Sequence, residues 1–126
     1  MLYHISCQDN VDSIQTYGLV PGQFVGYEKS PMAEIYLAKN FPSFIVSEMR
    51  YENILDGYLL ERSDDRCQIF RLFEINPAYL DPRFIRHTGD DRELAYGAII
   101  PPQAIRLVRI KYFREQLNEQ YNALNM

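Results

Sequence analysis

Few familiar chemical signatures occur in this sequence. It has no phosphate-cradling loop ending in Gly-Lys-Ser/Thr, no Gly-x-Gly-x-x-Gly, no Gly-x-Ser-x-Gly and no Cys-x-x-Cys. Their absence argues against a P-loop nucleotidase, a Rossmann dinucleotide fold and a nucleophile-elbow hydrolase. Cysteine and histidine are scarce: Cys7 and Cys67, His4 and His87. They lack metal-ligand spacing, so no metal is expected, and the cysteines read as two reduced thiols in a cytoplasmic protein. No apolar run approaches the ~20 residues that cross a bilayer, so no membrane partner is expected. No basic segment leads into an apolar one, as a secretory signal would. With no internal repeat, low-complexity tract or linker, residues 1–126 read as a single domain.

What is present is an ordinary globular composition, 47% hydrophobic, with a net charge of −4 and a pI near 5.1. An acidic chain lacks the broad basic face that non-specific phosphate-backbone binding needs. The basic residues are nevertheless uneven. Arg83, Arg86, Arg92, Arg106, Arg109, Lys111 and Arg114 crowd the last third, where they read chiefly as a solvated surface balancing nearby acids.

Along the chain, residues 1–6 alternate as a strand. Asp9 or Asn10 is placed to cap a helix carrying Val11, Ile14 and Tyr17 at helical spacing, and Gly18 and Pro21 close it. Residues 22–33 read as a loop and 34–38 as a second strand. Asn40 or Pro42 opens a predicted helix running to about Asn53. Residues 53–66 are ambiguous, and Gln68 to Ile75 alternates as a strand. A capped turn is expected at 76–80, a brief strand at Phe84-Ile85 and a turn at 88–91. Strands at 93–99 and 105–112 flank a Pro101-Pro102 turn. Residues 113–126 hold a C-terminal helix with a Phe113, Leu117, Tyr121 and Leu124 stripe. Helices in front and antiparallel-looking strands behind predict an α+β fold.

Four stretches together resemble a known family. Tyr3-His4-Ile5-Ser6, followed by Ser13-Ile14 and Gly18-Leu19, is similar to the opening of small ADP-ribosyltransferase-fold proteins. Ile35-Tyr36-Leu37-Ala38 resembles their second strand and Phe73-Glu74-Ile75-Asn76-Pro77 their central strand. Glu93-Leu94-Ala95-Tyr96, leading into Ile100-Pro101-Pro102-Gln103-Ala104-Ile105, resembles their catalytic-glutamate strand and the turn after it. The likeness covers roughly residues 1–112. It implies two small, mainly antiparallel sheets forming an NAD cleft flanked by helices, in the His-Tyr-Glu branch related to diphtheria-type toxins and poly-ADP-ribose polymerases.

In that branch the histidine bonds the adenosine ribose, the tyrosine stacks on nicotinamide and the glutamate bonds the nicotinamide ribose. Carried over, the resemblance implies His4, Tyr36 and catalytic Glu93, with Ser6 at the hydroxyl position of the first motif. It departs from the pattern at Ile5, where many relatives have glycine. It departs again at Ser47, where relatives often have a second stacking tyrosine; Phe44 or Tyr51 would have to serve instead. Those residue types suit the chemistry. Breaking the ribose–nicotinamide bond develops oxocarbenium character, which a nearby carboxylate stabilises. An aromatic face holds a planar cationic ring, and a neutral imidazole offers both a donor and an acceptor. Each residue also has a plainer rival role: a strand histidine satisfied by the backbone, a packed tyrosine, a solvent-facing glutamate.

The expected activity is NAD-dependent mono-ADP-ribosyl transfer to a protein or nucleic-acid acceptor, with NAD as co-substrate. Transferases of this size often act as toxins or effectors, which brings in a neutralising partner protein. An RNA 2′-phosphotransferase shares the fold, but its family uses extra arginines and a second histidine where this chain has Tyr36. A catalytically inactive module that binds a nucleotide or a protein is the alternative from a different class.

Overall fold

The computed structural model describes residues 1–21, 34–41, 50–52, 57–59 and 69–109, with 50–52 and 57–59 described through their backbone pairing. Among these residues the protein is α+β. An antiparallel sheet is built from β1 (Leu2–Cys7), β2 (Ile35–Ala38), β3 (Arg50–Glu52), β4 (Gly57–Leu59), β5 (Ile69–Ile75), β6 (Ile85–His87), β7 (Glu93–Tyr96) and β8 (Ile105–Leu107). The hydrogen-bonded order is β3-β4-β5-β1-β2-β7-β6, and β8 also pairs with β5. The one described α-helix is α1 (Val11–Tyr17).

The pleat sorts the apolar residues onto one face, because alternate side chains of a strand point to opposite sides. Leu2, Ile35, Leu37, Phe73, Ile75, Leu94 and Tyr96 lie on that face. They form the core with Val11 and Ile14 of α1 and with Leu19, Leu80, Ile100 and Ala104. Phe73, Ile75 and Ile100 are fully buried. The buried Tyr96 hydroxyl accepts a hydrogen bond from the Asp81 main-chain N–H at 2.9 Å, so its polar end is not stranded.

Helix α1 forms where the 3.6-residue period predicts. Its start differs. Residues 8–10 make a 3-10 turn, and Asn10 has helical dihedrals with no side-chain cap bond. The Asn10 amide instead donates to Ser6 Oγ at 3.2 Å. Its end is as expected: Gly18 adopts φ +83° and donates its N–H to Ile14 O at 2.8 Å. Leu19 and Ile100 then exchange two main-chain hydrogen bonds, which tie the helix exit to the turn after β7. The capped turn at 76–80 is also present, with Asn76 Oδ1 accepting from the Ala78 N–H at 3.0 Å.

Three expectations need correction. The helix expected to run to Asn53 does not: Arg50–Glu52 is a strand that pairs with Gly57–Leu59, which in turn pairs with β5. Cross-strand pairing onto an existing sheet edge outweighs the weak helical stripe. The expected pair of sheets is one continuous path, although a thin one. Whereas β1 pairs with β5 at six positions and β2 with β7 at four, β1 and β2 meet only at Tyr3↔Ala38. Finally, Cys7 is disulfide-bonded rather than reduced. Cys7 lies opposite Phe70 in the β1–β5 ladder, and the chain's other cysteine, Cys67, stands just upstream of Phe70 in sequence. Spacing along the chain does not reveal the pairing of β1 with β5 that sets Cys7 opposite Phe70.

The expected helix at 113–126 and the residues 42–49, including Phe44, lie outside the described residues, as does Cys67 itself. Among the described residues no helix is long and apolar enough to cross a membrane.

Candidate functional site

The four stretches that carry the family likeness form four adjacent strands, β5-β1-β2-β7. Register then decides which side chains share a face. Arg106, Glu74, Tyr3, Ala38 and Glu93 are successive partners across β8, β5, β1, β2 and β7, so they form one row on the face opposite the core. A second row joins Tyr36, Ala95 and Arg86 across β2, β7 and β6. Tyr36 is two residues from Ala38 on the same strand. Tyr36 and Glu93 therefore share a face, on neighbouring strands and one row apart.

Tyr36 is the exposed member of its strand, with 46% of its surface open while Ile35 and Leu37 on either side are buried. Tyrosine is amphipathic, and an open aromatic face on a sheet is available to stack on a planar ligand. Glu93 begins β7 and is half-buried; its N–H donates to Asp90 O at 3.2 Å. Neighbouring Arg92 turns to Asp90, with Nε 3.1 Å from Oδ1 and Nη2 3.1 Å from Oδ2. That fork raises the Arg92 pKa and lowers that of Asp90, and places the cation's main partner on Asp90.

His4 is placed differently. It stands one residue off the first row, so its side chain starts from the core face of β1. Its Nδ1 lies 3.1 Å from the Tyr36 carbonyl oxygen, at the seam where the β1–β2 ladder has stopped after one pair. A carbonyl can only accept, so Nδ1 carries the hydrogen. Burial lowers the His4 pKa below its ordinary 6.5, and the bond to Tyr36 O opposes that shift in part. The ring is then neutral at pH 7, and Nε2 keeps a lone pair that can accept from a hydroxyl. Thus His4 touches Tyr36 through its main chain rather than its ring. His4 and the Tyr36–Glu93 pair therefore start from opposite faces of the pleat, and His4 reaches Tyr36 at the β1–β2 seam.

Ser6 is two residues beyond His4 on the same face, and its hydroxyl accepts from Asn10. Gln8 Oε1 nearby accepts from Arg71 Nη1 at 3.1 Å. The far end of β1 is thus polar where the near end, at Leu2, is core. Among the described residues no three His, Cys, Asp or Glu side chains cluster as metal ligands would.

Sequence reasoning passed over two acid–base pairs. Glu74, buried at 4% exposure, accepts from Arg106 Nε at 3.1 Å directly across the β5–β8 pair. Glu34 accepts from Arg86: Nε is 3.1 and 2.9 Å from the two carboxylate oxygens, and Nη2 is 2.8 Å from Oε1. Arg86 looks like one more surface cation in sequence; only the strand register sets it beside Tyr36.

No family model matches this chain, and comparison with curated proteins and with solved structures finds no match either. A functional reading therefore rests on these residues and on the four-stretch likeness.

Proposed function

We propose that this protein is an NAD-dependent mono-ADP-ribosyltransferase of the ADP-ribosyltransferase fold. What supports the reading most is that exposed Tyr36 and half-buried Glu93 share one sheet face, with neutral His4 seated at the seam beside them. NAD, as co-substrate, would lay its nicotinamide against the Tyr36 ring. His4 Nε2 would accept from a ribose hydroxyl, and Ser6 would contribute to the same end of the site. The bond from ribose C1′ to the nicotinamide nitrogen breaks, and its electron pair leaves with nicotinamide. The Glu93 carboxylate stabilises the positive charge left on the ribose and polarises the acceptor's nucleophile.

The acceptor is a macromolecule, protein or nucleic acid. A toxin or effector role with a neutralising partner belongs to the same proposal. So does a cytoplasmic site of action, with a test of its own: fractionation of expressing cells should recover the protein in the cytosolic fraction. The activity is tested by incubating the protein with NAD labelled in the adenylate moiety and a cell lysate, then treating separately with protease and nuclease. Label should enter one macromolecular class and nicotinamide should be released. NAD binding without nicotinamide release would favour a binding module instead, and a lack of NAD binding would remove the reading altogether.

A further inference from the structure

The functional reading leaves unexplained why a two-oxygen carboxylate fork is built beside the exposed tyrosine. Three side chains are involved. Glu34 and Tyr36 are two residues apart where β2 begins, so they project on one side. Arg86 stands across from Tyr36 with Ala95 between them. Ala95 is fully buried and carries only a methyl group, so nothing on the middle strand separates the longer side chains. Glu34 takes Nε and one N–H of Nη2. The guanidinium has five N–H donors in a rigid plane, so donors remain on its other edge. By reaching across β7 to Glu34, Arg86 brings its guanidinium to the side of β2 from which Tyr36 projects, and its bonds to Glu34 raise its pKa.

The arrangement differs from the surface pairs nearby. Arg83 clasps Asp81 within one turn, and its side chain is 82% exposed. Glu34, by contrast, is 9% exposed and holds an arginine that is distant in sequence. A fixed carboxylate fixes the guanidinium plane. A fixed guanidinium can then hold the far end of a ring whose near end is already set by the strand.

We propose that Arg86, anchored by Glu34, is a positioning residue that fixes the ring of Tyr36. This deepens the NAD reading, and for its ligand readout it rests on that reading. A held ring loses no rotamer freedom when nicotinamide stacks on it, so the pair lowers the ordering cost of binding. It makes no contact with the reacting bond, so its effect belongs to affinity and not to turnover at saturation.

The test uses Arg86→Met, Arg86→Lys, Glu34→Gln and, as a control for loss of a surface ion pair, Arg83→Met. The first readout needs no ligand. Spectra of protein carrying 13C-labelled tyrosine rings, with the Tyr36 signal assigned through Tyr36→Phe, report the order of that ring. Arg86→Met and Glu34→Gln should shift the signal and lower its order, Arg86→Lys less so, and Arg83→Met not at all. An unmoved Tyr36 signal in a folded Arg86→Met protein overturns the inference. The second readout is NAD titration and nicotinamide release. Arg86→Met should weaken NAD binding by about tenfold, the effect of losing one charge-assisted contact, and leave saturated turnover within about twofold. Arg86→Lys should recover most of the loss. If wild-type protein fails to bind NAD, the functional reading falls, and the ring signal alone decides the positioning role. If wild type binds NAD and Arg86→Met binds it equally well, the positioning role falls and the functional reading stands.

Discussion

Gly18→Ala probes the joint that closes α1, and its cost can be worked from the structure. Gly18 sits at φ +83°, ψ −169°, a region essentially reserved for glycine. Forcing alanine there costs about 1–3 kcal/mol in backbone strain. Space adds a second cost: a Cβ at Gly18 would lie 2.0 Å from the Ile100 carbonyl oxygen, a main-chain atom. Relief requires moving Ile100 away, which breaks its two hydrogen bonds with Leu19, at about 1 kcal/mol each. The total is about 3–5 kcal/mol, set against the 5–15 kcal/mol that holds a typical domain together. Gly89→Ala separates the two terms. Gly89 has φ +89° and nothing within 4 Å of a Cβ, so only the strain of about 1–3 kcal/mol applies. Urea unfolding followed by circular dichroism should show a much lower midpoint for Gly18→Ala than for Gly89→Ala, at similar slope. Variants within about 0.5 kcal/mol of each other would refute the steric part of the reasoning.

Two further outcomes follow from the site. His4 has a lowered folded pKa, so the unfolded chain binds the proton more readily. Its contribution to stability is full above about pH 6.5 and is lost as pH falls toward the folded value, with a slope of at most about 1.4 kcal/mol per pH unit; His4→Gln should remove that part of the pH dependence in thermal melts taken from pH 7.5 to 5. Tyr36→Ala should weaken NAD binding by roughly tenfold to a hundredfold through lost stacking, while the melting temperature hardly moves because the residue is 46% exposed; a titration showing unchanged affinity would remove Tyr36 from the site.

Much of the fold could be read from periodicity. The alternation of β1, β2 and β5 and the helical spacing of Val11 and Ile14 both follow burial on one face, and burial writes itself into sequence at a period of 2 or 3.6. Gly18 was legible as a helix end because its conformation suits no other residue. Other features depend on register, which no local pattern records. Arg50–Glu52 is a strand because Gly57–Leu59 lies beside it, against its own weak helical stripe. Asn10 looked like a cap because of its residue type, yet Ser6 was close enough to take its amide. Cys7 is disulfide-bonded where a thiol was expected, and spacing along the chain carries no sign of it. Arg86 was read as solvated charge, and the small residue between it and Tyr36, Ala95, becomes meaningful only once both strands are paired. The candidate triad was legible as residue types in order. That His4 would meet Tyr36 through its carbonyl was not, because it follows from the β1–β2 ladder ending after Tyr3↔Ala38.

The central claim is that Glu93 acts on the ribose as charge develops, and one substitution tests it most directly. Glu93→Gln keeps the size and most hydrogen bonding but removes the charge, so its effect should fall on the transition state and not on ground-state binding. Nicotinamide release under saturating NAD, measured beside NAD affinity in the same preparations, should show turnover reduced by at least about 10²-fold with affinity changed by less than about threefold. Release at near wild-type rate from Glu93→Gln would contradict the account.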